Sequence, residues 1–444
     1  MIIGGQTNEV NVRVIAVLLL ISWAALTHGN ASPVSASPPG ANGKIAFDSN
    51  REAYRAIHVM DPDGSNVRRL TFDGVGESGQ PAWSPDGTKI AFDTNREPLH
   101  FQVWVMNADG SDQHRLSLGQ GNNASPSWSP DGREIAFDSD SDGNYEIYAI
   151  GSDGTNQRNL TRNAASDTFP SWSPDGAHIA FQSNRSGNYD IWIMNADGTS
   201  PRDLTPDSTS EWDPEWSPDG TRIAFSSHTG GQDGQSGLQV IDVDGEHRTQ
   251  ISYDNDGSPS WSPDGSQITF SRGVGGVTKI YSMNADGSDV RLLADGGSLT
   301  ADASWQPLTC TVSGVADGDT FDCAGGRHVR MLGIDAPKPG DCGGDWAKAA
   351  LENIFLPTGR SVRLVYGGHL RDDAGFDIAS PIWRGDDGTD YNLSVVLTYV
   401  GLARAAADGN VLFANWLQDA EGWARAAGWN MWAPDGPFNG GVNC

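Results

Sequence analysis

A short apolar string recurs along the first two thirds of the chain, and a polar turn follows it each time. The strings read I-A-F or close to it, and they begin at Ile45, Ile90, Ile135, Ile179, Ile223 and Ile268. A second apolar string in each unit ends in Asp-Gly, as in V-W-V-M-N-A-D-G. Alternating apolar residues between Pro-Asp-Gly and Asn-x-Asp-Gly turns indicate strands joined by hairpins. The pattern predicts about four short strands in each unit.

The unit is marked by Trp-Ser-Pro-Asp-Gly, which recurs every 44 or 45 residues at Trp83, Trp128, Trp172, Trp216 and Trp261, and Trp305 continues the series as W-Q-P. Four short strands in such a repeat form one propeller blade. The first unit lacks its Trp and the last Trp lacks a following I-A-F, so the last strand is expected to complete the first blade. Residues 43–308 are therefore predicted to form a closed six-bladed β-propeller without exposed sheet edges.

With these motifs, residues 43–308 resemble the TolB-like propeller family, which is built from WD40-like Pro-Asp repeats. The W-S-P-D-G, I-A-F and M-N-A-D-G strings carry the resemblance. It implies a rigid binding platform in an extracytoplasmic space, with an unknown protein or small ligand at the propeller face. The ligand itself is not implied, because a fold does not fix a function. The repeated tryptophans are interpreted as blade core.

The N-terminus contains an apolar run, Val14–Leu26, preceded by Arg13. A membrane-spanning helix needs about 20 apolar residues, so this run is too short to cross a bilayer. Small residues follow it and offer cleavage after Ala31 or Ala36. Residues 1–36 are therefore predicted to be a secretory signal peptide. We expect a secreted or periplasmic protein without a membrane span.

Charge and cysteine content narrow the function further. The chain carries a net charge of −28 with only 29 Lys and Arg residues among its 444. Binding of a polyanion as the main activity is disfavoured, because phosphate contacts need Lys and Arg.

All four cysteines lie in the last third, which indicates a disulfide-bonded domain in an oxidising compartment. Of the three possible pairings, Cys310–Cys323 and Cys342–Cys444 are favoured, since the first pair flanks a predicted hairpin turn.

Two metal-like patterns within the repeats are weak. Asp138-x-Asp140-x-Asp142-Gly143 begins like a calcium loop, but Ala149 stands where a bidentate Glu is needed. The nine histidines show no ligand spacing, so zinc is unsupported. The repeats therefore carry no strong metal motif.

A different pattern begins after Pro307. The turn D-G-D contains Asp319, and the next strand runs through Arg330 to Asp335 in the string I-D-A-P-K. The two carboxylates are expected to meet and to bind one hard cation through oxygen. Arg330 is placed to face a phosphate.

This pattern resembles the staphylococcal (thermonuclease-like) nuclease domain, an α+β OB-fold, over about residues 309–434, and the predicted domain spans residues 309–444. The resemblance implies that Asp319 and Asp335 bind calcium and that Arg330 holds the phosphate. The family's general-base Glu is replaced by Lys338, and its second Arg is replaced by Phe376. A positioned base contributes roughly 10²–10⁴ in rate, so hydrolysis by the family mechanism is expected to be severely weakened, with weak calcium binding retained.

The sequence thus predicts a mostly β, secreted binding or scaffold protein: a six-bladed propeller joined to a degenerate nuclease-like domain. The alternative is an active extracellular calcium-dependent phosphodiesterase that the propeller targets to DNA or RNA. Lys338 and Phe376 argue against this alternative, whereas Asp319, Arg330 and Asp335 argue for it. Nucleic acid is a partner only in the second case.

Overall fold

The computed structural model describes residues 42–72, 76–97, 100–228, 236–307, 309–323, 327–331, 334–336, 348, 351–352, 356, 361–371, 377–384, 390–392 and 404–405. The elements whose bounds fall in these residues are β-strands. The chain divides into two compact units, and the sheets of residues 42–307 lie in one of them. The predicted signal peptide, residues 1–36, lies outside the described residues.

The described residues between 42 and 307 form six antiparallel sheets of four strands each. Sheet 1 contains β1 (Asn42–Ser49), β2 (Ala56–Met60), β3 (Arg68–Arg69) and β24 (Thr300–Pro307). Sheet 2 contains β4 (Ser78–Trp83), β5 (Lys89–Thr94), β6 (Gln102–Asn107) and β7 (His114–Arg115). Sheet 3 contains β8 (Asn123–Trp128), β9 (Glu134–Ser139), β10 (Glu146–Gly151) and β11 (Arg158–Asn159).

The next three sheets repeat this order along the chain. Sheet 4 contains β12 (Asp167–Trp172), β13 (His178–Ser183), β14 (Asp190–Asn195) and β15 (Arg202–Asp203). Sheet 5 contains β16 (Ser210–Trp216), β17 (Arg222–His228), β18 (Gly237–Asp242) and β19 (Thr249–Gln250). Sheet 6 contains β20 (Gly257–Trp261), β21 (Gln267–Val274), β22 (Val277–Asn284) and β23 (Arg291–Ala294).

Sheet 1 joins the two ends of the repeat. Its strand β24 pairs antiparallel with β1, and Trp305 lies opposite Ile45 while Ser304 lies opposite Ala46. The strand that the sequence assigned to the first blade therefore occupies that position in the structure. This pairing leaves sheet 1 with the same four-stranded order as its neighbours.

The second strand of each sheet forms the core between neighbouring sheets. Its phenylalanine is fully buried in all six cases, at Phe47, Phe92, Phe137, Phe181, Phe225 and Phe270. The preceding Ile is also 0% exposed in every sheet. The residue between them is 0% exposed as well, and because successive side chains point to opposite faces, this strand is buried on both faces. These side chains pack in clusters that combine residues from successive sheets, such as Phe225 and Ala180.

The Ser-Pro-Asp-Gly segment forms the hairpin between the first two strands of sheets 2 to 6. In sheet 2, the Ser84 hydroxyl donates to Asp86 at 2.6 Å and accepts from the backbone N–H of Lys89 at 2.9 Å. Gly87 has a φ of +68°, a conformation that costs glycine little. The same two hydrogen bonds recur in the other four turns. The motif is therefore explained by turn chemistry.

The remaining strands belong to the C-terminal region. They are β25 (Thr309–Val315), β26 (Thr320–Cys323), β27 (Arg327–Met331), β28 (Ile334–Asp335), β29 (Ser361–Arg371), β30 (Asp377–Arg384), β31 (Asp390–Asn392) and β32 (Arg404–Ala405). Six of them form a sheet in the order β27-β26-β25-β29-β30-β31, and β27 also pairs with β30. Strands β28 and β32 pair separately.

Candidate functional site

The first strand of each sheet carries a β-bulge just before its tryptophan (in sheet 1 this strand is β24). In sheet 2, Gly79 pairs with Asp93 and Ala82 pairs with Ala91, so β4 contains one extra residue. The same shift occurs in the other five sheets. A proline stands two residues before the tryptophan in five of the six strands. Proline suits a bulge because it has no N–H to give to the ladder.

The residue before this proline position has left-handed backbone geometry in every sheet. The six φ angles lie between 47° and 55°, at Gln80, Ser125, Phe169, Asp213, Ser258 and Asp302. Residues other than glycine rarely adopt this conformation, and each instance costs about 1–3 kcal/mol. Six equivalent cases in one structure indicate that the bulge is a built feature of the repeat.

The three residues before each tryptophan form what we call the central ring: 80–82, 125–127, 169–171, 213–215, 258–260 and 302–304. Members of all six triplets line a cavity of about 240 Å³, the mouth cavity, together with the six tryptophans. They also line a second cavity of about 120 Å³. Residues 44 or 45 positions apart in sequence therefore converge on one place.

Glu215 breaks the pattern of the ring. The residues directly before the six tryptophans are Ala82, Ser127, Ser171, Glu215, Ser260 and Ser304. Glu215 is the one ionisable residue among the described residues that line the mouth cavity, and it lines the second cavity as well. The Ser171 hydroxyl donates to its Oε2 at 3.1 Å. Burial raises the pKa of Glu215 to about 7.

Two more carboxylates line the second cavity. Burial, and then the charge of Asp302, raises the pKa of Asp213 to about 6. The guanidinium of Arg55 donates to Asp302 at 2.7 Å and to Asp48 at 2.6 Å. The second cavity is therefore rich in carboxylates, and Arg55 compensates the charge of Asp302 on the side formed by sheet 1.

The calcium-like motif of sheet 3 is divided among separate partners. Asp138 accepts from the backbone N–H of Phe169 at 3.1 Å in sheet 4, and burial raises its pKa to about 6. Asp140 accepts from the backbone N–H of Asn122 at 2.7 Å. Asp142 accepts from the hydroxyl of Tyr148. These carboxylates serve structural roles, and within the described parts of the chain there is no group of three or more His, Cys, Asp or Glu side chains suited to a metal ion.

In the C-terminal region the structure brings two predicted segments together. Asp319 is 2% exposed, and its carboxylate accepts from the backbone N–H of Ala336 at 2.9 Å. Ala336 directly follows Asp335, which pairs with Arg404 in the β28–β32 ladder. Arg330 is half-buried in β27, and its backbone pairs with Thr320. The D-G-D turn therefore contacts the I-D-A segment, and a cation site formed by Asp319 and Asp335 stays a prediction.

The structure describes only some of the other residues that the sequence predicts to be functional. Lys338, Phe376, Cys342 and Cys444 lie outside the described residues. Cys323 is 4% exposed and is not a free thiol. Its backbone pairs with Val312, two residues after Cys310 on the same strand. The pairings Cys310–Cys323 and Cys342–Cys444 remain predictions.

Comparison with known proteins identifies the class to which the repeats belong. The sequence model of the TolB beta propeller domain (PD40) matches residues 75–164, 118–232 and 208–318, which together span more than half of the chain. The chain therefore belongs to the TolB β-propeller family. No curated protein matches it significantly.

Among solved structures, TolB from Acinetobacter baumannii is similar at 23% sequence identity with a TM-score of 0.55. The similarity covers 61% of this chain and 68% of that one. The hydrazine synthase of Kuenenia stuttgartiensis is similar at 18% identity with a TM-score of 0.50, over 61% of this chain and 47% of that one. At these identities the similarity shows the fold alone. In the described residues, no helix is both long enough and apolar enough to cross a bilayer.

Proposed function

We propose that the chain is an extracytoplasmic binding scaffold, whose repeats form a six-bladed propeller and bind a ligand in the mouth cavity. The observation that carries this proposal is the convergence of equivalent residues from six sheets on that cavity. Its walls are mostly Pro, Trp and Ser. Concave, largely uncharged surfaces with a few polar groups are typical of binding sites.

The test is a thermal-shift screen of the full chain against libraries of small molecules and short peptides. The variant Ala82→Trp places a bulky ring in the mouth cavity at a position where the repeat otherwise has Ser or Glu. Ligands of the cavity are expected to raise the Tm of the wild type and to lose this effect in Ala82→Trp. The control His114→Trp changes an exposed residue of β7. Ligands that stabilise all three proteins equally would contradict the proposal.

The signal peptide and the secreted or periplasmic location belong to the same proposal. The predicted apolar run and the small residues after it support them. N-terminal sequencing of the protein exported from its producing cell should find a new N-terminus after Ala31 or Ala36. Recovery of the uncleaved chain inside the cell would contradict export.

For residues 309–444 we propose a degenerate nuclease-like OB-fold that binds calcium weakly through Asp319 and Asp335. The sheet supports this, because pairing of β27 with β30 links the strands β27-β26-β25-β29-β30 into a ring, and an OB-fold is a five-stranded barrel. The hydrogen bond from Ala336 to Asp319 supports proximity of the two carboxylates. Lys338 and Phe376 support the loss of hydrolysis.

The same hydrogen bond favours the second candidate function, an active calcium-dependent phosphodiesterase. Hydrolysis of DNA and RNA by the purified protein with calcium separates the two candidates. We expect activity at least about 10³-fold below that of an intact nuclease of this family. The double change Lys338→Glu and Phe376→Arg should raise it, and Asp319→Ala should abolish that gain. Rapid hydrolysis by the wild type that Asp319→Ala removes would favour the active enzyme.

A further inference from the structure

The residue before the tryptophan is small in every sheet except sheet 5. Glu215 occupies there the position that Ser holds in four sheets and Ala in one. The turn, the bulge and the left-handed residue of sheet 5 match those of the other sheets. The fold therefore forms without a carboxylate at this position, and Glu215 is an addition that folding does not explain.

The charged carboxylate of Glu215 is energetically unfavourable in its position. Glu215 is only partly exposed and lines both cavities, so the surface it exposes faces their interior. Neither cavity has Lys or Arg among its described lining residues. The hydroxyl of Ser171 is the one described side chain that donates a hydrogen bond to it. A partly buried carboxylate with so little compensation favours a cation or a proton beside it.

From this geometry we propose that the mouth cavity binds a primary alkyl ammonium group, whose charge pairs with Glu215. This inference rests on the proposed role of the cavity as a ligand site. The ammonium group can come from a free amine or from a lysine side chain, since both present the same three N–H donors.

The walls favour an alkyl ammonium ion over a metal ion. A calcium ion takes six to eight oxygen ligands, whereas Glu215 is the one carboxylate among the described residues that line the mouth cavity. Ser127, Ser260 and Ser304 line the same cavity and carry hydroxyl oxygens that can accept from an ammonium group. The Pro and Trp side chains between them suit the methylene groups of the ligand.

The test is calorimetric titration of the full chain with n-butylammonium at pH 8. A charge-assisted hydrogen bond contributes about 1.5–3 kcal/mol, so Glu215→Ser and Glu215→Gln should each weaken binding by about tenfold or more. Glu215→Ser introduces the residue that four other sheets have at this position, so we expect the variant to fold. The uncharged isostere n-butanol should bind at least about tenfold more weakly than n-butylammonium.

Two further variants separate a local effect from a general loss of negative charge. Asp254→Asn removes a carboxylate whose side chain is 67% exposed, and it should leave binding unchanged. Asp213→Asn removes a carboxylate of the second cavity, and its effect should be smaller than that of Glu215→Ser. Equal binding of n-butylammonium by the wild type and by Glu215→Gln would overturn the proposal.

The source of the ammonium group is resolved by a second titration with the peptide acetyl-Ala-Lys-Ala-amide. Binding of the peptide but not of n-butylammonium, lost in Glu215→Gln, supports a lysine of a protein partner. Binding of n-butylammonium supports a free amine, and failure of both probes overturns the inference. Ligands from the thermal-shift screen that depend on Ala82 but not on Glu215 would leave the scaffold function standing and remove only this inference.

Discussion

The interior of the sheets and the central ring are built from the same repeats, but they differ in how strictly the repeat is kept. In the interior, each second strand has the same fully buried Phe, and five hairpins have the same Ser and Asp. In the ring, the residue three places before the tryptophan differs between sheets: it is Gln80 in sheet 2, Phe169 in sheet 4 and Asp213 in sheet 5. The backbone is nonetheless the same there, with φ angles of 48°, 53° and 55°.

This difference separates what the fold needs from what it leaves open. A fully buried side chain between two sheets has one shape that fills its space, so the repeat cannot vary there without a loss of stability. A residue that faces a cavity has no such constraint, and a change there alters the chemistry of the cavity. Glu215 is the clearest case, because it introduces a charge without any change in the strand around it.

The largest effect on the free energy of unfolding is expected for a substitution in the interior of the sheets. Phe181 is 0% exposed, and Phe181→Ala should lower the free energy of unfolding by about 3–5 kcal/mol because it leaves a cavity between sheets. Urea unfolding followed by tryptophan fluorescence measures this. Phe72→Ala is the control, since Phe72 is 71% exposed and its loss should cost less than about 0.5 kcal/mol. Similar losses for the two variants would show that the interior is not uniformly packed.

The carboxylate of Glu215 in the central ring should change the free energy of unfolding by a smaller amount, and this change should depend on pH. Burial raises the pKa of Glu215 to about 7, so the folded state holds its proton up to a higher pH than the unfolded chain. The stability from this group is present at pH 4 and is lost as the pH rises through about 7. Glu215→Ser should therefore raise the free energy of unfolding at pH 8 by on the order of 2 kcal/mol and change it little at pH 4.

Urea unfolding of the wild type and Glu215→Ser across this pH range provides the measurement. Asp93, with a pKa raised to about 7 by burial, remains in both proteins, so a residual pH dependence is expected. A parallel pH profile for the two proteins would mean that Glu215 is solvated in the cavity.

The repeated turns also contact neighbouring sheets, and this contact can be broken. A Cβ on Gly87 would lie 2.8 Å from the carbonyl oxygen of Pro307 in the closing strand, and its φ is +68°. Gly87→Ala should therefore cost about 1–2 kcal/mol. Gly275 is a matched control, because its φ is +62° and no atom of the described residues lies within 4 Å of its Cβ position. A larger loss for Gly275→Ala in urea unfolding would contradict the contact between sheets 1 and 2.

Most of the interior could be predicted from the sequence. The buried strings and the turn residues act locally, so a period of 44 or 45 residues is sufficient to place the strands and the closing pair of Ile45 and Trp305. The bulge was missed, although prolines two residues before the tryptophans were a signal that a regular strand was interrupted there.

The candidate site could not be predicted in the same way. Its lining residues come from six repeats and meet only because the sheets surround one cavity. An alignment of the repeats with one another would have shown that Glu215 stands alone among Ser and Ala. It could not have shown that this position faces a cavity, since residues from all six sheets line that cavity.

The smallest effect is expected at the one ring position where sheet 1 departs from the others. Ala303 stands where the other five strands have proline, and Asp302 before it has a φ of 47°, within the range of the equivalent residues. The backbone at Ala303 should therefore accept proline without strain, and Ala303→Pro should raise the free energy of unfolding by about 0.4–1 kcal/mol through a less flexible unfolded chain. Ser304→Pro is the control, because Ser304 pairs with Ala46 in the ladder and its hydroxyl accepts from the N–H of Trp83 at 3.2 Å. Loss of those contacts should destabilise the protein by more than about 2 kcal/mol. If Ala303→Pro were as destabilising as Ser304→Pro in urea unfolding, the bulge of the closing strand would differ from the other five, and the ring would not be equivalent in all six sheets.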